Sequence, residues 1–256
     1  MFTDFFDGVQ SYGKAYRLIK EMRLWPYAII PAIISLVIAV GVVVLAWSLS
    51  DNVGNFLLSW YPWDWGSDTI SSISVWLGGA VVGLFGLIVF KYLVLIFSSP
   101  FMSFLSEKVE KNITGNQEKT SFSFGGALHD LARGFRISSR NFIRELFFTA
   151  LFLLLGLVPI IGFLSPFLLF FSQAYYAGFG NLDYTLERHC SLTESTKFVR
   201  RHRFLAIGNG SVFLLLLMSG IGFLFAPPLA TIAGTVESLE RLRADKIVIS
   251  KEQEFV

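Results

Sequence analysis

Residues 146–182 read LFFTALFLLLGLVPIIGFLSPFLLFFSQAYYAGFGNL, 37 positions without one charge. A helix rising about 1.5 Å per residue needs about 20 residues to cross roughly 30 Å of hydrocarbon. The run is therefore too long for one crossing and short for two. Its middle carries Pro159, Gly162 and Pro166. Proline lacks the backbone N–H and clashes with the preceding turn, so the run is expected to split into two half-length helices that dip into a bilayer and return. Residues 204–236 repeat the arrangement: 33 uncharged positions interrupted by Pro227 and Pro228.

Two further runs precede these. Leu24 to Ser50 gives 27 uncharged residues and Thr69 to Phe90 gives 22, each enough for one span. The whole chain fits this pattern: 54% apolar, 16% charged, with 27 Phe in 256 residues. So many phenylalanines exceed what one soluble core of this length hides, and a lipid-facing surface is their natural place. The composition excludes a disordered chain, a disulfide scaffold and a nucleic-acid module. One cysteine, Cys190, forms no internal disulfide. Charged residues from Asp4 to Arg23 precede the first apolar run, and no small-residue cleavage site ends it, so that run is expected to be retained.

Lys and Arg favour cytoplasmic loops. Lys14, Arg17, Lys20 and Arg23 precede the first span, whereas residues 51–68 carry three Asp and no basic residue. Residues 107–145 hold seven basic side chains, 183–203 hold five, and the tail from Glu237 holds four. Both termini are therefore expected inside. Each later apolar run must then begin and end on the same face, as a returning hairpin does.

Trp25 and Trp47 lie about 33 Å apart along a helix, one for each interface, and Trp60, Trp63 and Trp65 place the outer loop on headgroups. A carbohydrate-binding aromatic cluster is the alternative for that loop. Phe2, Phe5, Phe6, Val9, Tyr12, Tyr16 and Ile19 recur at helical spacing, predicting an amphipathic helix on the cytoplasmic leaflet. Phe101 to Ile113 repeats the pattern, either interfacial or packed on the bundle. Gly79 and Gly83 permit close helix approach, within the chain or between copies. The segments read as follows: amphipathic helix 2–20, spans 24–50 and 69–99, amphipathic helices 101–145, broken hairpin 146–182, basic segment 183–203, broken hairpin 204–236 and tail 237–256.

The apolar runs hold almost no ionisable group. Lys91 is expected at the cytoplasmic boundary with its ammonium reaching the interface. A broken helix exposes N–H groups that hold an anion without a formal cation, which makes the stretches after Pro159–Pro166 and after Pro227-Pro228 candidates, with Ser165, Thr231 and Thr235 as hydroxyl donors. The alternative is that the breaks only turn the hairpins. His189, Cys190 and His202 lack a metal-ligand spacing, and no catalytic cluster or cofactor motif stands out. Arg200, Arg201, His202 and Arg203 form either a positive-inside flank or an anion-gathering mouth.

Several stretches resemble the family that joins bacterial CysZ-type sulfate permeases with eukaryotic etoposide-induced membrane proteins. Ser99-Pro100-Phe101 with Leu105, Glu107, Glu110 and Thr114-Gly115 is similar to its segment after the second long helix. Val158 to Gly162 with Pro166, and Pro228 with Ala233-Gly234-Thr235, resemble its two broken hairpins; Asp183-Tyr184 with Glu187 and His189 is similar to a further family signature.

The resemblance implies two long transmembrane helices, two half-penetrating hairpins, cytoplasmic termini and a homodimer or higher homo-oligomer. It also implies sulfate uptake for cysteine synthesis across a bacterial inner membrane, passive or gradient-driven. The anion is expected near a Gly-Leu-Arg pattern that reads Glu21-Met22-Arg23 here, with a carboxylate where the family has glycine.

The expectation is an all-α integral membrane protein, not an enzyme and without a cofactor, that moves a small inorganic anion, sulfate or sulfite. Its anion-binding candidates are Arg23, Leu24, Arg201, Thr231 and Thr235; Glu107, Glu110, Asp183, Tyr184 and His189 are supporting or gating candidates. Glu107, Glu110 and Asp183 either position the arginines or pair with basic residues that hold interfacial helices to the bundle. A non-transporting structural or interaction protein of the membrane is the competing function.

Overall fold

A computed structural model describes residues 2–59, 67–116, 124–156, 158 and 161–245. Pro159, the tryptophans at 60, 63 and 65, and the tail beyond Asp245 lie outside the described residues. Within these, all regular structure is helical: α1 (Phe2–Glu21), α2 (Trp25–Ser59), α3 (Ser67–Phe97), α4 (Ser99–Thr114), α5 (Phe124–Gly156), α6 (Ser165–His189), α7 (Leu192–Arg201), α8 (Arg203–Met218) and α9 (Ala226–Ala244), with 3-10 turns at Ile161–Leu164 and Gly222–Leu224.

Local sequence explains the ends. Pro166 opens α6 and Pro227-Pro228 opens α9, each in the first turn, where the missing N–H would have had no intrahelical partner. Ser191 and Glu194 form a reciprocal capping box at the start of α7. Gly115 closes α4 at φ 74°, a left-handed conformation that glycine adopts without steric cost. Ser98 and Pro100 end the second long helix, and the chain bends by 61° between α3 and α4.

The boundaries drawn from charge at 145/146, 182/183 and 236/237 all fall inside α5, α6 and α9. Charge marks where a helix surface changes environment; hydrogen bonding marks where the helix ends.

Trp25–Ser48 is one helix long and apolar enough to cross a membrane, and the bent pair Val82–Phe97 with Ser99–Thr114 is a second candidate. Val40, Val43, Val44 and Trp47 stand exposed on α2, and Phe147, Phe163, Phe167 and Phe171 on α5, the following turn and α6. α1 is helical as its pattern predicts, and it packs on α8 and α9. Ser11, Tyr12, Ala15 and Ile19 are its buried face, while Phe6 and Tyr16 remain exposed.

α6 and α8 approach closely at the centre. A Cβ on Gly178 would overlap the Ala206 carbonyl, and one on Gly210 the Ala174 carbonyl. Asn209, between two glycines, ties four helices together. It accepts from Asn181 on α6 at 2.9 Å and donates to the Ala230 carbonyl of α9 at 3.1 Å, and its own carbonyl accepts from Tyr12 of α1 at 2.8 Å.

Lys91 departs from expectation. Its side chain is fully buried, and Nζ donates to both carboxylate oxygens of Glu145 at 2.6 Å. The Tyr92 hydroxyl donates to the same carboxylate at 2.8 Å. An ammonium without a partner would have to reach water; α5 supplies the partner, so Lys91 stays inside.

Candidate functional site

The polar residues of α6 concentrate in its last three turns, from Asn181 to His189. At 3.6 residues per turn, Asp183 and Glu187 lie above one another, as do Thr185 and His189. The helix therefore presents acidic and basic groups to different neighbours.

Toward α5 and α7, Asp183 meets Arg133 in a two-pronged pair. Nε donates to Oδ2 at 3.2 Å and Nη2 to Oδ1 at 3.1 Å. Arg133 also donates to Ser195 Oγ at 3.0 Å and to the Cys190 carbonyl at 3.3 Å, closing the α6–α7 corner over the pair. Toward α4 and α9, Arg188 donates to Glu110 Oε2 through Nε at 2.8 Å and through Nη2 at 2.7 Å. His189 Nε2 lies 2.6 Å from the other oxygen of Glu110.

Ser106 accepts from Arg188 Nη2 at 2.7 Å and joins the hydroxyls of Thr185 and Thr235 at 2.9 Å each; Thr185 and Thr235 lie 3.0 Å apart. Three hydroxyls from three helices thus extend an ion-pair network into the core, a geometry that locks α4, α6 and α9 together.

A cleft of about 250 Å³ opens beside this network, lined among others by Ser103, Glu107, Asp130, Glu187 and Arg188. Burial, reinforced by Asp130 and Asp183, pushes the Glu187 carboxyl up to about 8, while Ser103 donates a hydrogen bond to it. Burial works to raise Glu110 as well, but His189 and Arg188 hold it below its ordinary value. Two carboxylates of this region, one on α4 and one on α6, thus take opposite protonation tendencies. Among the described residues, no group of three or more His, Cys, Asp or Glu is placed to hold a metal ion.

Glu110, Tyr184, His189 and Thr235 come together in the network; Tyr184 contributes its carbonyl to Arg188 at 2.7 Å, and its hydroxyl donates to the Leu95 carbonyl of α3 at 2.8 Å. Glu107 pairs with Lys111 one turn on, at 2.8 Å, and borders the cleft. Asp183 engages Arg133.

Arg23 occupies the α1–α2 turn at φ 52°, the one non-glycine residue with positive φ among those described. It is exposed, with no hydrogen-bond or ion-pair partner for its guanidinium among the described residues, and Leu24 beside it is buried. Arg201 is exposed and reaches Asp245 at 3.2 Å; His202 lies 3.0 Å from the same carboxylate, and the two together hold it below its ordinary value against the opposing effect of burial. Thr231 is fully buried one turn beyond Pro227-Pro228, and its hydroxyl has no hydrogen-bond partner among the described residues. Sequence reading did not single out Arg133, Arg188, Ser106 or Glu145. Arg133 lies 50 positions from Asp183, and nothing local to either distinguishes them from a positive flank and a helix surface acid.

The description "Sulfate transporter CysZ/Etoposide-induced protein 2.4" matches residues 11–228. Three curated proteins named Sulfate transporter CysZ are similar to this chain. The protein of Pseudomonas fluorescens strain Pf0-1 is 25% identical over 230 residues, 89% of this chain and 90% of its own. That of Pseudomonas aeruginosa strain LESB58 is 25% identical over 245 residues, 94% and 98%. That of Pseudomonas fluorescens strain Pf-5 is 27% identical over 147 residues, 57% and 58%. All three names are those of transporters and none is that of an enzyme.

Proposed function

The chain belongs to the Sulfate transporter CysZ/Etoposide-induced protein 2.4 family, and on that premise we propose that it carries sulfate into a bacterial cell across the inner membrane, supplying sulfur for cysteine synthesis. The observation that carries the reading is a family match over residues 11–228, which spans the first proline-broken run and reaches the proline pair of the second. The placement of Lys and Arg supports a multi-pass protein with both termini in the cytoplasm. α2 and α3 are its full spans; α5–α6 and α8–α9 enter the bilayer part-way and return. Its partners are the lipid bilayer, the anion, sulfate or the related sulfite, and further copies of the chain.

Within this reading Arg23 gathers the anion at the start of α2, where its charge is free and exposed. Arg201 adds positive potential at the α7–α8 corner. Thr231 supplies a hydroxyl to an anion at the N-terminal end of α9, which the partial positive charge of that helix end favours; Pro227 and Pro228 contribute no N–H there. The unpartnered buried hydroxyl of Thr231 supports this role. Glu110, Tyr184, His189 and Thr235 act indirectly, by fixing α4, α6 and α9 and the end of α3 relative to one another, and Asp183 by holding α6 to α5; Glu107 borders the cleft, paired within its own helix.

The test is uptake of labelled sulfate into vesicles holding the purified protein, against empty vesicles, with sulfite, phosphate and chloride as competitors. Saturable uptake that sulfite suppresses and chloride does not is expected. Losing one hydrogen bond or ion contact to the anion weakens its binding by about 1.5–3 kcal/mol, so Arg23→Ala or Thr231→Val should slow uptake at low sulfate by roughly tenfold or more. Uptake no faster than in empty vesicles, from folded protein, overturns the transport reading.

A further inference from the structure

Away from the ion-pair network, basic side chains of three helices converge on one tyrosine. On α5, Arg140 and Arg144 are one turn apart on the same face; on α7, Thr196 and Arg200 are likewise. Arg140 Nη1 donates to Thr196 Oγ1 at 2.6 Å and so ties α5 to α7, with Arg144 one turn on along α5 and Arg200 one turn on along α7. Arg203 begins α8 three residues beyond Arg200. Charges on Arg140, Arg144, Arg200 and Arg203 all act on the Tyr175 hydroxyl of α6.

None of these four cations has an ion-pair partner among the described residues. The Asp183 charge reaches Arg140, but that carboxylate is paired with Arg133, and Glu145 is engaged by Lys91 and Tyr92. Arg144 and Arg200 are exposed with no ion-pair partner among the described residues, and Arg203 is exposed over the Phe204 ring at 5.2 Å. Arg140 is half-buried over the Phe179 ring at 5.0 Å, and its Nε is buried without a hydrogen-bond partner. Burial, and then the charge of Arg144, push the Arg140 guanidinium below its usual value against the opposing charge of Asp183.

The surroundings define the ligand's setting. Phe147 follows Arg144 by one turn and is 65% exposed; Phe171 precedes Tyr175 by one turn and is 43% exposed. The basic cluster therefore borders an exposed apolar surface, with a phenol at the boundary. A positive-inside flank accounts for basic residues along a segment. It does not account for four guanidiniums from three helices whose charges all bear on one hydroxyl, none of them in an ion pair among the described residues.

We propose that Arg140, Arg144, Arg200, Arg203 and Tyr175 form a binding site for a tetrahedral oxyanion, a phosphate or sulfate group, at the edge of the apolar belt. Planar guanidinium forks match such oxygens pairwise, and the Tyr175 hydroxyl adds a neutral donor. The headgroup phosphate of an anionic phospholipid and free sulfate share this chemistry. The site is separate from Arg23 and Thr231 and does not depend on transport.

The experiment measures binding to the full chain in neutral detergent, by the rise in unfolding temperature on adding ligand. One arm titrates phosphatidylglycerol against phosphatidylcholine; the other titrates sodium sulfate against sodium chloride at equal ionic strength. Each is run on the wild type, on Arg144→Gln/Arg200→Gln, and on Arg243→Gln as a single-charge control outside the cluster. Juxtamembrane basic residues contribute about 1 kcal/mol each toward anionic lipid, so the double variant should raise the dissociation constant on the order of 30-fold, and the control should leave it nearly unchanged. A variant-sensitive response in the lipid arm assigns the site to a headgroup; one in the sulfate arm alone assigns it to the free ion. If both arms respond equally in wild type and double variant, or neither responds in the wild type, the proposal is overturned.

Discussion

The two polar regions around α6 use the same side-chain types to opposite ends. In the network of α4, α5, α6 and α9, Arg133 and Arg188 each face a carboxylate, and the remaining hydrogen-bonding capacity runs into serine and threonine hydroxyls. Around Tyr175, four arginines face no free carboxylate. A neutralised network has little left to offer a charged ligand and serves to hold helices in register. An unneutralised cluster costs self-repulsion in the folded protein, and an arriving anion relieves it. Arginine content alone does not distinguish these cases; the position of the carboxylates does.

The largest effect should come from the most deeply buried neutral pair. Removing one partner of a buried ion pair leaves the other charged and unsolvated, at a cost of about 3–5 kcal/mol, whereas replacing both with apolar groups is often neutral. Lys91→Met alone should therefore sharply lower the unfolding temperature or the folded yield, and Lys91→Met/Glu145→Met should recover most of the loss. If the double variant is no better than the single, Lys91 and Glu145 are not an isolated neutral unit.

Glu187 gives the next effect, and it depends on pH. Its folded-state value, about 8, lies above the ordinary 4.5, so between these limits the folded protein binds more protons than the unfolded chain. Stability attributable to this group is complete below about 4.5 and falls as pH rises toward and through 8. Glu187→Gln, which keeps the Ser103 contact without the charge, should flatten the fall of unfolding temperature between pH 5 and pH 9 in lipid-free detergent. An unchanged slope would remove Glu187 from the account.

Much of the helix layout is legible in the chain itself. Pro166 and Pro227-Pro228 open α6 and α9 because proline suits a first turn, though Pro31 sits inside α2 without ending it, and Ser98 and Pro100 mark the bend after α3. The pairings are not legible. Lys91 and Glu145 lie 54 positions apart, and only the packing of α3 on α5 joins them, so Lys91 viewed alone belongs at an interface. The convergence on Tyr175 is hidden for the same reason. Arg200 and Arg203 stand in an evidently basic run, but Arg140 and Arg144 belong to α5, which a hydrogen bond between residues 56 positions apart, Arg140 and Thr196, ties to α7. Sequence reports which residues carry charge; helix packing decides which charges cancel.

Asn209 offers a smaller effect. Its side chain bonds to α6 and α9 and its carbonyl to α1, so Asn209→Ala removes two side-chain hydrogen bonds while leaving Asn181 and the Ala230 carbonyl short of partners. Unsatisfied buried groups cost about 1–3 kcal/mol each. The unfolding temperature should drop clearly, though less than for Lys91→Met, and by more than for Tyr12→Phe, which removes only the contact to the Asn209 carbonyl.

The smallest expected change in stability is also the sharpest contrast between the two regions. In neutral detergent without added anions, Arg144→Gln and Arg200→Gln should each leave stability within about 0.5 kcal/mol of wild type, the range of exposed substitutions away from structural contacts. Removing one of several like charges can even raise the unfolding temperature slightly. Arg133→Gln, which leaves Asp183 buried without its charge partner, should lower it unmistakably under the same conditions. Raising the salt concentration should narrow the gap between Arg144→Gln and wild type, since screening already weakens repulsion among exposed charges, while leaving the Arg133→Gln deficit largely in place. Equal losses for Arg133→Gln and Arg144→Gln would mean that the cluster around Tyr175 also holds the fold together, and the division between the two regions would fail.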